Sequence, residues 1–345
     1  MKTELTPELL YKRHGLSYPQ IDSLLGSNHK DLYQRDIMEN FKIIREFIMV
    51  TDEFRKMDIR FISLKGPLLS HRIYNDVTVR RFHDLDILVD FSDISLIYNL
   101  LVQRGYSKDT ELLADENMNQ KLHDYLKHIS FFHPHTKVCF EIHWKISIDK
   151  CIFNLDFDSI YKQIATDQVF MSRNFRVLNK EYDLLYLLVH GSDHKWQRLK
   201  WLLDIKDYSR NVPFDRLKVD NLAKKHKVSR IIPLYNLVAS KYFHDPQLFD
   251  TKQKVPALLF RSCIKQIEAR EVIFYTERTI SDSFSDFVYA FLLFPDLRSR
   301  LAYLKNKLIC YYDVKNIKTT NAILLILYRP FGLIFRNFHG VRKEK

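Results

Sequence analysis

The sequence predicts an α/β (α+β) protein, with a small mixed-sheet core between N-terminal helices and a C-terminal helical domain. Three observations carry this reading. Short apolar runs rich in β-branched and aromatic residues, Ile59–Leu64 and Leu85–Asp90, each lead into a helical pattern. A second pair of such runs, Ile129–His133 and Lys137–Ile146, is joined by a turn at Pro134-His135. From Glu181 onward the strand pattern stops and long amphipathic stretches take over. The expected organisation is an N-terminal helical arm over 1–34, a core over 35–175, and a helical domain with a basic tail over 176–345.

The elements follow in order. Thr6-Pro7-Glu8-Leu9-Leu10 opens a helix, with Thr6 as N-cap and Pro7 at the first helical position. A loop is expected around Pro19. Between Asp31 and Met57 the apolar residues Phe41, Ile44, Phe47, Ile48 and Val50 recur near helical spacing. The strand at 59–64 ends in Lys65-Gly66-Pro67, and 68–74 reads as a short helix. Ile94–Arg104 is a helix stopped by Gly105. Glu181–Leu203 is apolar on one side, and further helices are expected over 217–243, 256–279, 283–311 and 319–328, punctuated by Pro213, Pro246 and Pro295.

Bulk composition limits the function classes. Seven glycines in 345 residues leave little room for a Gly-rich dinucleotide fold. The four cysteines, at 139, 151, 263 and 310, form no CxxC pair and read as buried thiols of a reducing compartment. The N-terminus carries no apolar signal segment, and no stretch reaches 18 uninterrupted apolar residues, so a cytoplasmic location is expected. The net charge is +12, which favours anionic partners. From Arg298 onward eleven Lys/Arg face only Asp313 and Glu344, a local +9. This tail is suited to packing as a terminal helix or to weak membrane-surface or protein contact.

The chemistry concentrates between Phe61 and Asp90. Asp84 and Asp86 lie two apart at the start of a strand, so both carboxylates share one face while Leu85, Ile87 and Val89 point into a core. Adjacent carboxylates repel unless a cation sits between them, and oxygen ligands suit Mg2+ (or Mn2+). Glu141, in Val138-Cys139-Phe140-Glu141-Ile142-His143-Trp144, is an isolated acid in an apolar strand and supplies a third carboxylate. It shares a face with Cys139 and His143. Lys65-Gly66 closes one strand and opens a helix, where Gly lets backbone N–H groups approach phosphate and Lys adds charge. Arg80 and Arg81 stand within reach of phosphate oxygens. His190 and His194 lie at i and i+4 with no obvious third metal ligand. Arg198 and Asp204 are spaced to form an ion pair or to line a nucleotide cleft.

These blocks resemble the nucleotidyltransferase superfamily with its polymerase-β-like fold. They are most similar to a subfamily of bacterial nucleotidyltransferases that reads LKG, then R-x-x-x-DLDLLV, then E-x-HW. The matching residues are Leu64-Lys65-Gly66, Arg80 with Asp84-Leu85-Asp86-Ile87-Leu88-Val89, and Glu141-Ile142-His143-Trp144. The similarity continues through Leu187-Leu188-Val189-His190-Gly191 and Trp196–Asp204, so it spans about 40–210. One departure is Pro67, which follows Gly66 where many members have Gly or Ser and which removes one backbone N–H.

The resemblance implies a metal-dependent enzyme that moves a nucleoside monophosphate, with AMP from ATP the expected group, onto a small-molecule, sugar or protein acceptor, releasing pyrophosphate. It implies that Asp84, Asp86 and Glu141 are catalytic and hold the metal, and that Lys65, Gly66, Arg80, His143, His190 and Arg198 bind the nucleotide. No string that reads a nucleic-acid sequence is present. The rival readings are a non-catalytic nucleotide-binding protein of the same fold and a DxD glycosyltransferase, which would have no use for Glu141.

Overall fold

The computed structural model describes residues 5–108, 116–147, 153, 155–243, 251, 253–269 and 280–307, with isolated positions (319, 321, 323, 324 and 327) beyond. The expected helix over 319–328 and the basic tail after it lie almost wholly outside the described residues, as do Cys151 and Cys310.

Three helices come first: α1 (Pro7–Lys12), α2 (Tyr18–Leu25) and α3 (Tyr33–Lys56). Thr6 caps α1 as expected, accepting a hydrogen bond from the Leu9 backbone N–H. The loop expected around Pro19 is instead the first turn of α2. Ser17 and Gln20 form a reciprocal capping box, and Pro19 sits where its missing N–H costs nothing. Helix α3 buries Ile43, Ile44, Phe47, Val50 and Phe54, whereas Phe41 is exposed. The buried stripe is thus one step round from the set that periodicity suggested.

The core then reads β1 (Phe61–Ser63), α4 (Gly66–Tyr74), β2 (Asp84–Val89), α5 (Ile94–Gln103), β3 (Ser107–Lys108), α6 (Glu116–Tyr125), β4 (His128–Phe132), β5 (Cys139–His143), α7 (Phe157–Ser159), β6 (Ala165–Phe170) and β7 (Arg173–Leu178). The seven strands form one mixed sheet in the order β3-β4-β5-β2-β1-β7-β6. The central strand β2 runs antiparallel to β1 and parallel to β5. The β6–β7 hairpin, which no clear alternation announced, completes one edge. Its outer strand has only one buried residue, Phe170, so a period of two has little to act on.

The alternation in β2 and β5 sorts the sheet into two faces. Leu85, Ile87 and Val89 join Phe140, Ile142 and Trp144 in one apolar cluster with Phe47, Val50 and Phe54 of α3 and Ile97 and Leu101 of α5. Each such fully buried side chain contributes roughly 1.5–3 kcal/mol. The opposite face carries Asp84, Asp86, Glu141 and His143.

The helical half covers part of that opposite face. It comprises α8 (Lys180–Asp193), α9 (Leu199–Asn211), α10 (Arg216–Lys225), α11 (Ile231–Phe243), α12 (Ala257–Glu268), α13 (Ile280–Leu293) and α14 (Leu297–Lys307). The apolar stretch 181–203 is two helices, because Lys195 and Trp196 take left-handed backbone angles (φ 52 and 47°) between them. The Trp196 backbone N–H bonds to Gly191 O at 2.8 Å, folding the indole back over α8. Among the described residues no helix is long and apolar enough to cross a membrane.

Polar ties fix the helical half to the sheet. Arg72 of α4, its side chain 10% exposed, pairs with buried Asp183 of α8. Arg80 pairs with Asp204 of α9 through two hydrogen bonds, 2.7 and 2.9 Å. The Tyr74 hydroxyl donates to Asp207 Oδ2 at 2.6 Å. The N-terminal arm wedges into the same seam: Arg13 donates to Gln197 O, and Leu199 N–H donates to His14 Nδ1.

Candidate active site

The site begins where β1 gives way to α4. Gly66 has φ +65°, and a Cβ there would lie 3.2 Å from Leu85 Cδ2 of the neighbouring strand. Glycine is therefore needed both for the turn and for the close approach to β2. Pro67 occupies the first turn of α4, where it leaves the helix intact. Lys65 immediately precedes Gly66 and turns its side chain inward, almost wholly buried.

Register brings the acids together. Asp86 of β2 sits directly opposite Glu141 of β5, and Asp84 opposite Cys139. Asp84 is exposed and makes no hydrogen bond or ion pair among the described residues. Asp86 is buried, with Lys65 Nζ 3.3 Å from its Oδ2 and His143 Nε2 3.2 Å from its Oδ1. Burial works against charge on Asp86, but the Lys65 ammonium and the His143 contacts outweigh it and hold its pKa well below the usual carboxylate range. Burial likewise opposes charge on Lys65, and the anionic surroundings, Asp86 foremost, raise its pKa instead. Both therefore remain ionised at neutral pH.

Glu141 is half-buried and meets two imidazoles. Its Oε2 lies 3.3 Å from His143 Nε2 and 3.9 Å from His128 Nε2. His128 comes from β4, where antiparallel pairing sets it opposite His143, with ring centroids 4.7 Å apart. Sequence reading missed His128. Every pair in that hairpin keeps the same sum of residue numbers as His128 and His143, which centres the turn on His135-Thr136, one residue beyond the expected Pro134-His135.

The helical half adds an aromatic wall. His190 of α8 places both ring nitrogens 3.4 Å from Lys65 Nζ, and Tyr186 lies beneath the same ammonium, 5.5 Å to the ring centroid. The His190 ring also packs on His194 and on Trp201 of α9, at 4.9 and 5.1 Å. The His190–His194 pair thus belongs to this cluster, and among the described residues no third ligand completes a metal set with it.

The arginines divide. Arg80 is buried and engaged by Asp204, so it holds the segment leading into β2 against α9. The expected Arg198–Asp204 pair does not form, because Arg80 takes both Asp204 oxygens. Arg198 instead stands half-buried before α9, 6.0 Å from the Trp201 ring. Lys200 was not singled out by sequence, yet it is buried with no hydrogen bond or ion pair at its ammonium among the described residues. Burial first, then the nearby Arg80, lowers its pKa to about 7, against the opposing pull of Asp204 and Asp84.

The donor set suits a divalent cation. Asp86 Oδ2 is buried and accepts no hydrogen bond. Three carboxyl groups and the single ammonium of Lys65 meet at this end of β2.

No curated protein matches the chain. Among solved structures, the lincomycin-bound lincosamide antibiotic adenylyltransferase LnuA aligns at 16% identity with a TM-score of 0.33, over 48% of this chain and 94% of that one. The family described as "Uncharacterised nucleotidyltransferase" matches residues 23–244, a span containing every residue of the site above, and the chain belongs to that nucleotidyltransferase family.

Proposed function

We propose that the protein transfers a nucleoside monophosphate, AMP from ATP, to a hydroxyl-bearing acceptor, with Asp84, Asp86 and Glu141 holding Mg2+ or Mn2+. The observation that carries this reading is the register of Asp86 against Glu141 beside Lys65, at the mouth of the Gly66 turn. A bound divalent ion supplies Lewis-acid stabilisation of charge at the phosphoryl oxygens. The acceptor oxygen attacks the α-phosphorus. The bond from α-phosphorus to the α–β bridging oxygen breaks, and pyrophosphate leaves with that electron pair. The acceptor proton passes to Glu141, the better solvated of the two paired carboxylates, and from there to water.

In this reading Lys65 keeps Asp86 charged and in place, Gly66 lets phosphate approach the backbone, and Arg198 with Lys200 faces the triphosphate. His143 orients both carboxylates, and His190 packs against Lys65. Arg80 acts at one remove, positioning β2 through Asp204.

The test is pyrophosphate release from ATP, GTP, CTP and UTP with Mg2+ or Mn2+ in the presence of cell extract, for wild type, Asp86→Asn and Glu141→Gln. Release that prefers ATP, needs the extract and falls about 100-fold or more in either variant supports the reading. Turnover that survives both substitutions sinks it. Loss confined to Asp86→Asn points to a DxD glycosyltransferase arrangement, and nucleotide binding without release points to a non-catalytic relative.

A further inference from the structure

Glu141 is the only one of the three acids whose carboxylate is flanked by imidazoles of two different strands. His128, Glu141 and His143 each offer one ligand atom, and these atoms lie within 4.8 Å of one another, the only such group among the described residues. Asp86 Oδ1 adjoins the same His143 nitrogen at 3.2 Å. An ion about 2.1 Å from each donor places neighbouring donors roughly 3.0–3.4 Å apart. The contacts of His143 Nε2 to Asp86 and to Glu141, 3.2 and 3.3 Å, have that spacing.

The Nδ1 atoms of His128 and His143 are both buried with no hydrogen-bond partner, and His143 Nε2 sits between the Asp86 and Glu141 oxygens, where an ion would take the place of the proton it shares with them. His128 and Glu141 keep about a quarter of their side-chain surface (26% and 27%), whereas His143 and Asp86 keep 2%. An ion therefore enters past the first pair and seats against the second. Imidazole nitrogen is a poor ligand for Mg2+, which favours an all-oxygen octahedron, and a good one for first-row transition ions.

We infer that His128 and His143 join Asp86 and Glu141 in a mixed nitrogen–oxygen centre that selects a divalent first-row transition ion over Mg2+. The inference rests on the reading that these carboxylates hold the catalytic ion, and it specifies which ion and through which atoms. The ordering follows from ligand type: two of the four donors are nitrogens, which penalise Mg2+ and reward Mn2+, Co2+ or Zn2+.

Mn2+ serves as the probe, added to the full chain without nucleotide. Electron paramagnetic resonance counts free Mn2+, competition with Mg2+ ranks the two ions, and spin-echo modulation detects 14N bound to the metal. The expected result is Mn2+ binding at least tenfold tighter than Mg2+, with 14N modulation from two imidazoles in wild type. His128→Gln should halve the modulation and weaken Mn2+ at least tenfold while leaving Mg2+ affinity within about twofold. Circular dichroism of the same samples confirms that the fold is kept, and His143→Gln supplies a second, independent loss. Mn2+ bound without 14N modulation overturns the inference and leaves the carboxylate reading standing. Equal affinity for Mn2+ and Mg2+ also overturns it. Absence of any binding overturns it too, and pyrophosphate release measured with Mg2+ on that preparation then tells whether the transferase reading survives.

Discussion

Lys200 permits a quantitative test of how the two halves of the molecule meet. Its ammonium is buried at the start of α9 without a carboxylate partner, and its pKa falls from an ordinary 10.5 to about 7. A gap of that size is on the order of 5 kcal/mol. Above pH 10.5 the lysine is neutral in both folded and unfolded chains and costs nothing. As pH falls from there toward 7, the unfolded chain binds a proton that the folded one refuses, so stability declines by about 1.4 kcal/mol per pH unit. Below 7 both states are protonated and the full cost persists. Lys200→Met keeps the aliphatic stem and removes the titration. The variant should therefore be more stable than wild type by several kcal/mol at pH 6, and the gap should narrow by about 2 kcal/mol between pH 7 and pH 9. Urea unfolding at each pH, followed by far-ultraviolet circular dichroism, measures both curves. Parallel curves would show that Lys200 stays charged in the folded protein and would refute the argument.

Three further substitutions probe the frame of the site. Arg80→Met or Asp204→Leu alone leaves a buried charge unpaired and should cost about 3–5 kcal/mol in urea unfolding, whereas the double variant should recover most of that; additive losses would mean that the pair is not the buried bidentate contact seen here. In Gly191→Ala the new Cβ would lie 2.3 Å from Trp196 Nε1. Displacing that fully buried indole should cost about 1–3 kcal/mol and red-shift tryptophan emission, and an unchanged midpoint and spectrum would contradict the packing.

The sequence by itself determined the parts of this protein that depend on short-range rules. Alternation put Leu85, Ile87 and Val89 on one face and Asp84 and Asp86 on the other, and the sheet keeps that division. The same rule separated Glu141 and His143 from Phe140 and Ile142. Lys65-Gly66 fell at a strand–helix junction because glycine alone suits a left-handed turn packed against Leu85. The Pro19 turn was misread because a proline marks a helix start as readily as a loop, and only the Ser17–Gln20 reciprocal bonds decide which.

Tertiary structure decided what depends on pairing across distance. Nothing local states that β2 lies parallel to β5, and that register is what sets Asp86 against Glu141. Arg80 looked like a free phosphate ligand because its partner, Asp204, is far along the chain and arrives only when α9 docks on the sheet. His128 fell just outside the strand expected over Ile129–His133, and only the hairpin placed it on His143. Lys200 gave no sign, since a lysine acquires a lowered pKa only when packing removes its water and its neighbours withhold a carboxylate. Local alternation and turn chemistry are written residue by residue, whereas burial and electrostatics are properties of surfaces that exist only after the two halves close.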